Sequence, residues 1–411
     1  MKIYKIISFF LFFIIVSYSQ DTVKIMAYNI LNYEITDTSR HPYYRTVLFN
    51  SNPDILVVEE IISQNAMNYF MDGVLNPIGI GTFSAGTFIN GYDSDNAIFF
   101  KSSKFTFLSN TPIHTELRDI NEFKVVHVAT GDTLRLYAVH LKANNTTADQ
   151  QQRAREVDSL RKVTNALPLN SNFIVLGDFN FYSSTEPAYI KLLQVIPANE
   201  GYFFDMLNMP GVWNNPAYSV YHTQSSRVRA FGGGSTGGMD DRFDLILYSK
   251  AVNEQSGITV IPQSLTPYGN DGNHFNDSIN RPPNAVVSQA VANALHYASD
   301  HLPVYALFKF ESPIGIQSIS SGIPEKYLLK QNYPNPFNPV TNIEFQIPNS
   351  GKVNLVVFDI LGNLIETIVN DDLKSGFYKV SFDASLLSSG TYFYRISSGR
   401  YRDTKKMILI K

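Results

Sequence analysis

The sequence predicts an α/β chain, with packed β-sheets covered by helices, followed by a small all-β sandwich of the immunoglobulin-like kind. Three observations carry that prediction. The chain of 411 residues is longer than one ordinary domain. Its composition, 44% apolar and 13% aromatic, supplies real cores and excludes global disorder. Its texture changes near residue 310, from β-like runs interrupted by helical periodicity to short alternating strands between Pro, Gly and Ser turns.

At the N-terminus, Lys2 and Lys5 precede the apolar run Ile6 to Val16, and Ser17, Tyr18, Ser19 and Gln20 follow. That layout predicts a cleaved secretory signal over residues 1–20. The run is shorter than the roughly 18 to 20 residues of a membrane span, so the mature chain is expected to be exported without a transmembrane segment. Cysteine is absent. Disulfides, thiolate metal sites and cysteine nucleophiles are therefore excluded together.

Within residues 21–310, "VKIMAYNIL", "DILVVEE", "NAIFF", "FKVVHVA", "LRLYAVHL", "FIVLG", "RFDLILY" and "LPVYALFKF" read as strands by length and by β-branched or aromatic content. The best helix spans Thr147 to Leu167, with Thr147 and Gln150 as a capping box and Ala154, Val157, Leu160, Val163 and Leu167 at helical spacing. A second is expected to begin at Thr185-Glu186-Pro187, because Pro suits a first helical turn. The Gly-rich "FGGGSTGGMDD", residues 231–241, lacks the Lys-Ser/Thr of a phosphate-binding loop and joins no strand to a helix. It reads as a flexible surface loop. Residues 311–325 read as a linker, and Pro334, Pro336 and Pro339 then fix an extended start to the tail. Its strands follow in "VNLVVFDILGN", "GFYKVSFD", "GTYFYRISSG" and "KKMILIK", without a cluster of His and carboxylates. The tail should be non-catalytic.

Charge divides along the chain. Residues 21–310 carry 20 Lys plus Arg against 27 Asp plus Glu, whereas residues 311–411 carry 11 against 9. A phosphate substrate of the acidic part needs metal ions or a local basic patch to offset repulsion.

Polar residues recur at the ends of the apolar strands. Asn29 ends "IMAYN", Glu59 and Glu60 close "DILVVEE", and His140 ends "LRLYAVH". Asp178 and Asn180 follow "FIVLG", Asp244 lies within "DRFDLILY", and Asp300 and His301 precede "LPVYALFKF". One such residue is usually a satisfied structural group. Six strands doing so is a pattern, and burying that many carboxylates calls for a counter-charge. Carboxylate and carboxamide oxygens without thiolates suit Mg2+, with Ca2+ or Mn2+ as alternatives. A hard cation bound by oxygen points to a phosphate ester substrate. His41, His114, His127, His222, His274 and His296 stand in no motif and read as surface or packing residues. Trp213 is either a substrate-contacting loop residue or core, and Lys142 either meets substrate phosphate or is solvated.

In order, "AYNIL", "PDILVVEEI", "AVHLKA", "GDFN", "RFDLI" and "SDHLPV" resemble the motif series of the endonuclease/exonuclease/phosphatase family of metal-dependent phosphohydrolases. The resemblance covers residues 21–310 and implies a four-layer α/β sandwich, two mixed sheets face to face with helices outside. It also implies roles. Asn29 and Glu60 match metal-holding positions, Glu59 stands where the family often has Gln, and Asp300 is a further metal or water ligand. Asp178 and Asn180 match the pair that orients the attacking water and the scissile phosphate, and His140 matches a phosphate contact. His301 matches the catalytic histidine, with Asp244 as its carboxylate partner. Either Asp178 or His301 can serve as general base, with one metal or two.

"NYPNPFNP", "VVFDILGN", "SGFYKVSFDAS", "SGTYFYRI" and the final "KKMILIK" resemble the C-terminal sorting domain of type IX secretion, over residues 326–411. That implies passage through the periplasm and across an outer membrane, to a secreted or cell-surface location, with the type IX machinery as partner. The function expected is a secreted endonuclease acting on extracellular nucleic acid, as a monomer. A sphingomyelinase-like phospholipid phosphodiesterase or a phosphomonoesterase is the alternative enzyme, and a non-catalytic surface binding protein the alternative of another class. An inositol-phosphate phosphatase falls, because Phe181 follows Asn180 and "MDDRFD" contains neither Trp nor Cys.

Overall fold

The computed structural model describes residues 20–253, 257–311, 317–320, 324–384 and 387–411. All of the expected signal segment except Gln20 lies outside the described residues. The chain divides into two compact units, one of them Asp21–Glu311 and the other holding Ser312–Lys411.

In the larger unit the strands are β1 (Gln20–Tyr33), β2 (Ile55–Ile61), β3 (Phe83–Ala85), β4 (Asp95–Lys101), β5 (Phe105–Ile113), β6 (Ile120–His127), β7 (Thr133–His140), β8 (Phe173–Asp178), β9 (Phe203–Asp205), β10 (Asp244–Ser249), β11 (Ile258–Val260), β12 (Thr266–Pro267) and β13 (Val304–Glu311). One sheet runs β11-β13-β1-β2-β4-β3, with β12 on β13, and the other runs β5-β6-β7-β8-β10-β9. Both are mixed, since β1 and β2 pair in parallel in the first and β7 and β8 in the second.

The continuous apolar runs follow from burial on both faces. In β8, Ile174 and Leu176 enter the core between the sheets, while Phe173 and Val175 enter a second core on the outer face. In β1, Val23, Ile25 and Ala27 face the inter-sheet core and Met26, Tyr28 and Ile30 face outward. Helices complete the outer layers. The helices α1 (His41–Ser51), α2 (Gln64–Phe70), α3 (Thr147–Thr164), α4 (Pro187–Leu193), α5 (Lys250–Asn253) and α6 (Gln289–Ala298) follow one another along the chain. Helices α1, α2 and α6 cover the first sheet, and α3 and α4 cover the second. This is the four-layer α/β sandwich.

Helix α3 corrects two details of the sequence reading. Its capping box is Thr146 with Asp149, one residue earlier than Thr147 with Gln150, and the helix stops at Thr164 rather than Leu167. The ionised Asp149 carboxylate accepts from the Thr146 backbone N–H at 3.0 Å, a stronger acceptor for that orphan donor than a Gln amide.

Helix α3 also anchors the loops that leave β7 and β8. Arg153 donates from Nε and Nη2 to Glu186 Oε2 at 3.0 and 2.8 Å, and from Nη1 to the Lys142 and Asn144 carbonyls at 2.7 Å each. Both side chains are buried. Arg153→Ala should therefore cost about 3–5 kcal/mol, because the Glu186 carboxylate is left unpaired. Urea unfolding checks it, and the double variant Arg153→Met, Glu186→Leu should recover most of the loss.

In the smaller unit, β14 (Gln317–Ser320), β15 (Leu328–Leu329), β16 (Val340–Ile347), β17 (Gly351–Phe358), β18 (Leu364–Leu373), β19 (Gly376–Asp383), β20 (Gly390–Ser398) and β21 (Tyr401–Leu409) form two four-stranded sheets, β14-β19-β16-β15 and β18-β17-β20-β21. All of their pairings are antiparallel. Five residues of the segment read as a linker are thus strand, Glu311 at the end of β13 and the four of β14. One core, from Leu329 to Leu409, lies between the sheets. Phe337 donates its N–H to the Ile408 carbonyl and accepts from the Ile410 N–H, both at 2.9 Å, so the Asn-Pro-Phe block is stitched to the last strand. Among the described residues, no helix is long and apolar enough to cross a membrane.

Candidate active site

Strand register sets the site. Across β7, β8 and β10, His140 pairs with Asp178, and Asp178 pairs with Asp244. The three side chains therefore stand in one row on one face of the second sheet. On the first sheet, Asn29 of β1 stands opposite Glu59 of β2. The register of β2 on β4 then slips between Val58 and Ile61, and Glu60 takes a φ of 61°. A bulge of this kind re-aims a side chain at a strand end.

Gly177 explains how close the sheets come at this point. Its φ is +126°, and a Cβ there would stand 2.2 Å from the Val139 carbonyl oxygen and 2.7 Å from Glu59 Oε1. Only glycine leaves room for the carboxyl that arrives from the other sheet.

All eight expected residues meet. Asn29 Nδ2 donates to Glu60 Oε1 at 2.9 Å and to Asp178 Oδ2 at 3.3 Å. His140 Nε2 lies 3.8 Å from Glu60 Oε1 and 3.6 Å from Asp178 Oδ2. Asp178 Oδ1 accepts from the Asn180 backbone N–H at 3.0 Å, and Asn180 Nδ2 donates to the Leu141 carbonyl at 3.2 Å. His301 Nδ1 is 2.8 Å from Asp244 Oδ2, while its Nε2 lies 3.6 Å from Asp178 Oδ2. Asp300 Oδ2 accepts from the Ser235 backbone N–H at 2.6 Å.

The electrostatics separate these groups. Burial pushes Asp178 up to about 7, with Asp244 and Glu60 adding to the shift and His301 opposing it. Burial also raises Glu60, against the Asn29 hydrogen bond. Glu59 is raised well above the carboxylate range by burial and then by Asp244 and Asp178, and both its oxygens are buried without a partner. Held neutral, it has the shape and charge of a carboxamide. Burial disfavours a charged His301, but Asp244 and Asp178 outweigh it and hold the imidazole well above its ordinary value. His140 moves the other way, depressed well below that value by burial and then by Arg118 and His301.

These groups suit a hard divalent cation by donor type, since Asn29, Glu60, Asp178 and Asp300 all offer oxygen. Asp300 Oδ1 is buried without a hydrogen-bond partner, a further observation that favours an ion. Among the described residues, no three or more His, Cys, Asp or Glu side chains close around one point as a metal cage. An open arrangement of this sort is how Mg2+ is usually held, by one or two carboxylates completed by water and substrate phosphate.

Two residues of the site carry no signal in the sequence. Gln224 lies in a loop, and its Nε2 stands 2.5 Å from His301 Nε2 and 3.4 Å from Asp300 Oδ2. Two N–H groups cannot face each other at that distance, so a cationic His301 requires the carboxamide to turn its oxygen to the ring. Arg118 lies beside His140, pairs with Asp93 through Nη2 at 2.8 Å, and keeps Nε and Nη1 buried without partners.

The remaining sequence expectations resolve individually. The Gly-rich segment is exposed over residues 231–237, but it is docked rather than loose, with Ser235 bonded to Asp300 and Gly234 against Asp300 and Leu31. Trp213 is core, its indole N–H donating to the Met209 carbonyl at 2.8 Å. Lys142 is paired with Asp149 at 3.1 Å.

The family model described as Endonuclease/Exonuclease/phosphatase family matches residues 26–301, and that described as Secretion system C-terminal sorting domain matches residues 331–411. No curated protein matches the chain. Among solved structures, D. rerio TDP2 complexed with single strand DNA product is 17% identical over 70% of this chain and 98% of its own, with a TM-score of 0.46. An endonuclease/exonuclease/phosphatase family protein from Bacteroides thetaiotaomicron is 16% identical over 71% and 98%, with a TM-score of 0.43. The human Nocturnin catalytic domain with bound sulfate anion is 16% identical over 70% and 97%, with a TM-score of 0.41.

Proposed function

Because the chain belongs to the endonuclease/exonuclease/phosphatase family, we propose that it is a divalent-metal-dependent phosphodiesterase that cuts extracellular nucleic acid. The chain is a phosphoric ester hydrolase of that family, and its C-terminal sorting domain marks it for type IX export from a bacterium with an outer membrane. One observation supports the finer reading above the others. The row His140, Asp178 and Asp244 on one sheet faces Asn29 and Glu60 on the other, with His301 joining them through Asp244.

In this reading Glu60, Asn29 and Asp300 hold the cation, Mg2+ with Ca2+ or Mn2+ as substitutes, which when bound neutralises phosphate charge. Asp178, fixed through Oδ1 by the Asn180 N–H, accepts the proton of the attacking water at Oδ2, the oxygen that faces His140 and His301 and takes the long hydrogen bond from Asn29. His301, held by Asp244, presents positive charge to the non-bridging oxygens as they gain charge. His140 stays neutral and donates or accepts a hydrogen bond at the phosphate, and Arg118, with Nε and Nη1 buried and unpartnered beside His140, adds the local positive charge that an acidic unit needs. Trp213 in the core leaves no Trp to enter a lipid interface, which favours a polymer over a membrane substrate.

Turnover of bis(p-nitrophenyl) phosphate and p-nitrophenyl phosphate by the full chain tests the reading. The expected result is hydrolysis of the diester in preference to the monoester, abolished by EDTA and restored by Mg2+, Ca2+ or Mn2+. Hydrolysis that survives chelation would contradict the metal, and preference for the monoester would contradict the phosphodiesterase. Arg118→Ala should lower kcat/KM for the diester by about 10–100-fold, the loss of one charged hydrogen bond of roughly 1.5–3 kcal/mol.

A further inference from the structure

The segment between Ser226 and Gly238 passes Asp300 twice. Ser226 donates its backbone N–H to the Asp300 carbonyl at 2.9 Å. Ser235 then donates its own to Asp300 Oδ2 at 2.6 Å, with Gln224 Nε2 a longer 3.4 Å from the same oxygen. Gly234 is packed directly on that carboxyl, since a Cβ there would lie 2.8 Å from Asp300 Cγ and Oδ2 and 3.0 Å from Leu31 Cδ1. One carboxyl oxygen is therefore gripped, while Oδ1 stays buried without a partner.

Left to itself such a segment would not stay ordered. It is exposed over residues 231–237, lies in no helix or strand, and holds Gly232, Gly233 and Gly234 in succession at positive φ. Glycine loses more conformational freedom on ordering than any other residue. What holds the segment is the buried Arg227. Its Nη1 donates to the Phe231 carbonyl at 2.8 Å and the Gly233 carbonyl at 3.4 Å, and its guanidinium lies 4.2 Å over the Phe231 ring. The Arg227 carbonyl accepts from the Gly238 N–H at 3.1 Å, and Ser225 Oγ donates to the Ser235 carbonyl at 2.9 Å. Phe231 also stacks on His296, with centroids 5.3 Å apart. Burial disfavours the charge on Arg227, and Asp300 is the largest influence opposing it. The carboxyl that the segment grips is thus also a counter-charge for the residue that holds the segment.

We propose that the Gly-rich segment is a strap that orients the Asp300 carboxyl, fixing Oδ2 so that Oδ1 is left to the cation, and that Arg227 is the post on which the strap is wound. The inference rests on the metal reading above and deepens it by naming what positions one of the ligands. Arg227, Gly234 and Ser235 are positioning residues, since they reach the reaction only through Asp300. Without the strap the carboxyl loses a charge-assisted hydrogen bond and is free to rotate, so the cation is held less tightly. The chemistry that follows metal binding should be unaffected.

The test measures Mn2+ binding to the full chain without substrate, by electron paramagnetic resonance, beside the Mn2+ dependence of bis(p-nitrophenyl) phosphate turnover. Gly234→Ala presses a methyl onto the Asp300 carboxyl, and Ser235→Pro deletes the N–H. Each should weaken Mn2+ binding by about 10–100-fold, the usual effect of losing a group that positions a metal ligand. The Mn2+ concentration for half-maximal turnover should rise by the same factor, with kcat at saturating Mn2+ close to that of the unaltered protein. Arg227→Met should act in the same direction. Gly232→Ala is the control, in the same segment at a φ of +63° with nothing within 4 Å of the new atom, and should leave Mn2+ binding where it is. Equal Mn2+ affinity in Gly234→Ala, Ser235→Pro and Gly232→Ala would overturn the strap and leave the metal reading standing. No Mn2+ bound by the unaltered protein would overturn the metal reading and the strap with it. Gly234 and Ser235 are exposed, so their variants decide the matter even where Arg227→Met fails to fold.

Discussion

His301→Ala should lower kcat for phosphodiester hydrolysis by about 10²–10⁴-fold, the range for losing a positioned acid–base group, with a much smaller change in KM. The asymmetry follows from where the imidazole stands. Its Nδ1 faces Asp244 at 2.8 Å and its Nε2 faces the space beside Asp178 at 3.6 Å. It is therefore aimed at charge that develops in the reaction rather than at a remote part of the substrate. Asp244→Asn should cost a comparable factor, because the carboxamide no longer supports a charged ring. The double variant should lose little more than either alone, since the two act as a unit. Steady-state kinetics on the diester, with a chemical-denaturation curve to establish folding, would check this. Full additivity of the two losses would show that the pair does not work together.

Gly177→Ala should be among the most damaging single-methyl changes in the larger unit. The new Cβ would lie 2.2 Å from the Val139 carbonyl oxygen, a backbone atom of the next strand that cannot turn away, on a residue whose φ is +126°. Overpacking and backbone strain each cost about 1–3 kcal/mol, so a loss of about 2–6 kcal/mol is expected. Activity should fall as well, because relief of the clash must shift β7 against β8 where His140 pairs with Asp178. Gly211→Ala is the control, at a φ of +86° with nothing within 4 Å of the new atom. It should cost only the backbone term. Equal loss in the two variants would show that the sheets have slack at the site.

The strands that carry chemistry were legible because each is an apolar run buried on both faces and ended by a polar residue. The eight runs read from the larger unit correspond to β1, β2, β4, β6, β7, β8, β10 and β13. Short or half-exposed strands were not legible, as with β3, β9, β11 and β12 at two or three residues and β5 with its interrupted burial. Helix α1 hid for a different reason. His41, Tyr44, Leu48 and Ser51 are buried at helical spacing, but Tyr, Val and Phe in the same stretch favour a strand by composition. The candidate residues could be collected from strand ends, whereas Gln224, Arg118 and Ser235 lie outside strands and reach the site only through tertiary folding. The docking of the Gly-rich segment on Asp300 was hidden too, because a backbone N–H leaves no trace in residue identity.

Nicking of supercoiled plasmid by the full chain, with and without Mg2+ or Ca2+, tests the central claim most directly when the Asp178→Ala, His301→Ala double variant is run beside it. Metal-dependent conversion to nicked circles that disappears in a folded double variant is the result expected. Nicking that persists in the double variant, or a protein that hydrolyses bis(p-nitrophenyl) phosphate but leaves plasmid and single strands intact under every metal, would contradict the claim that these residues make a nuclease.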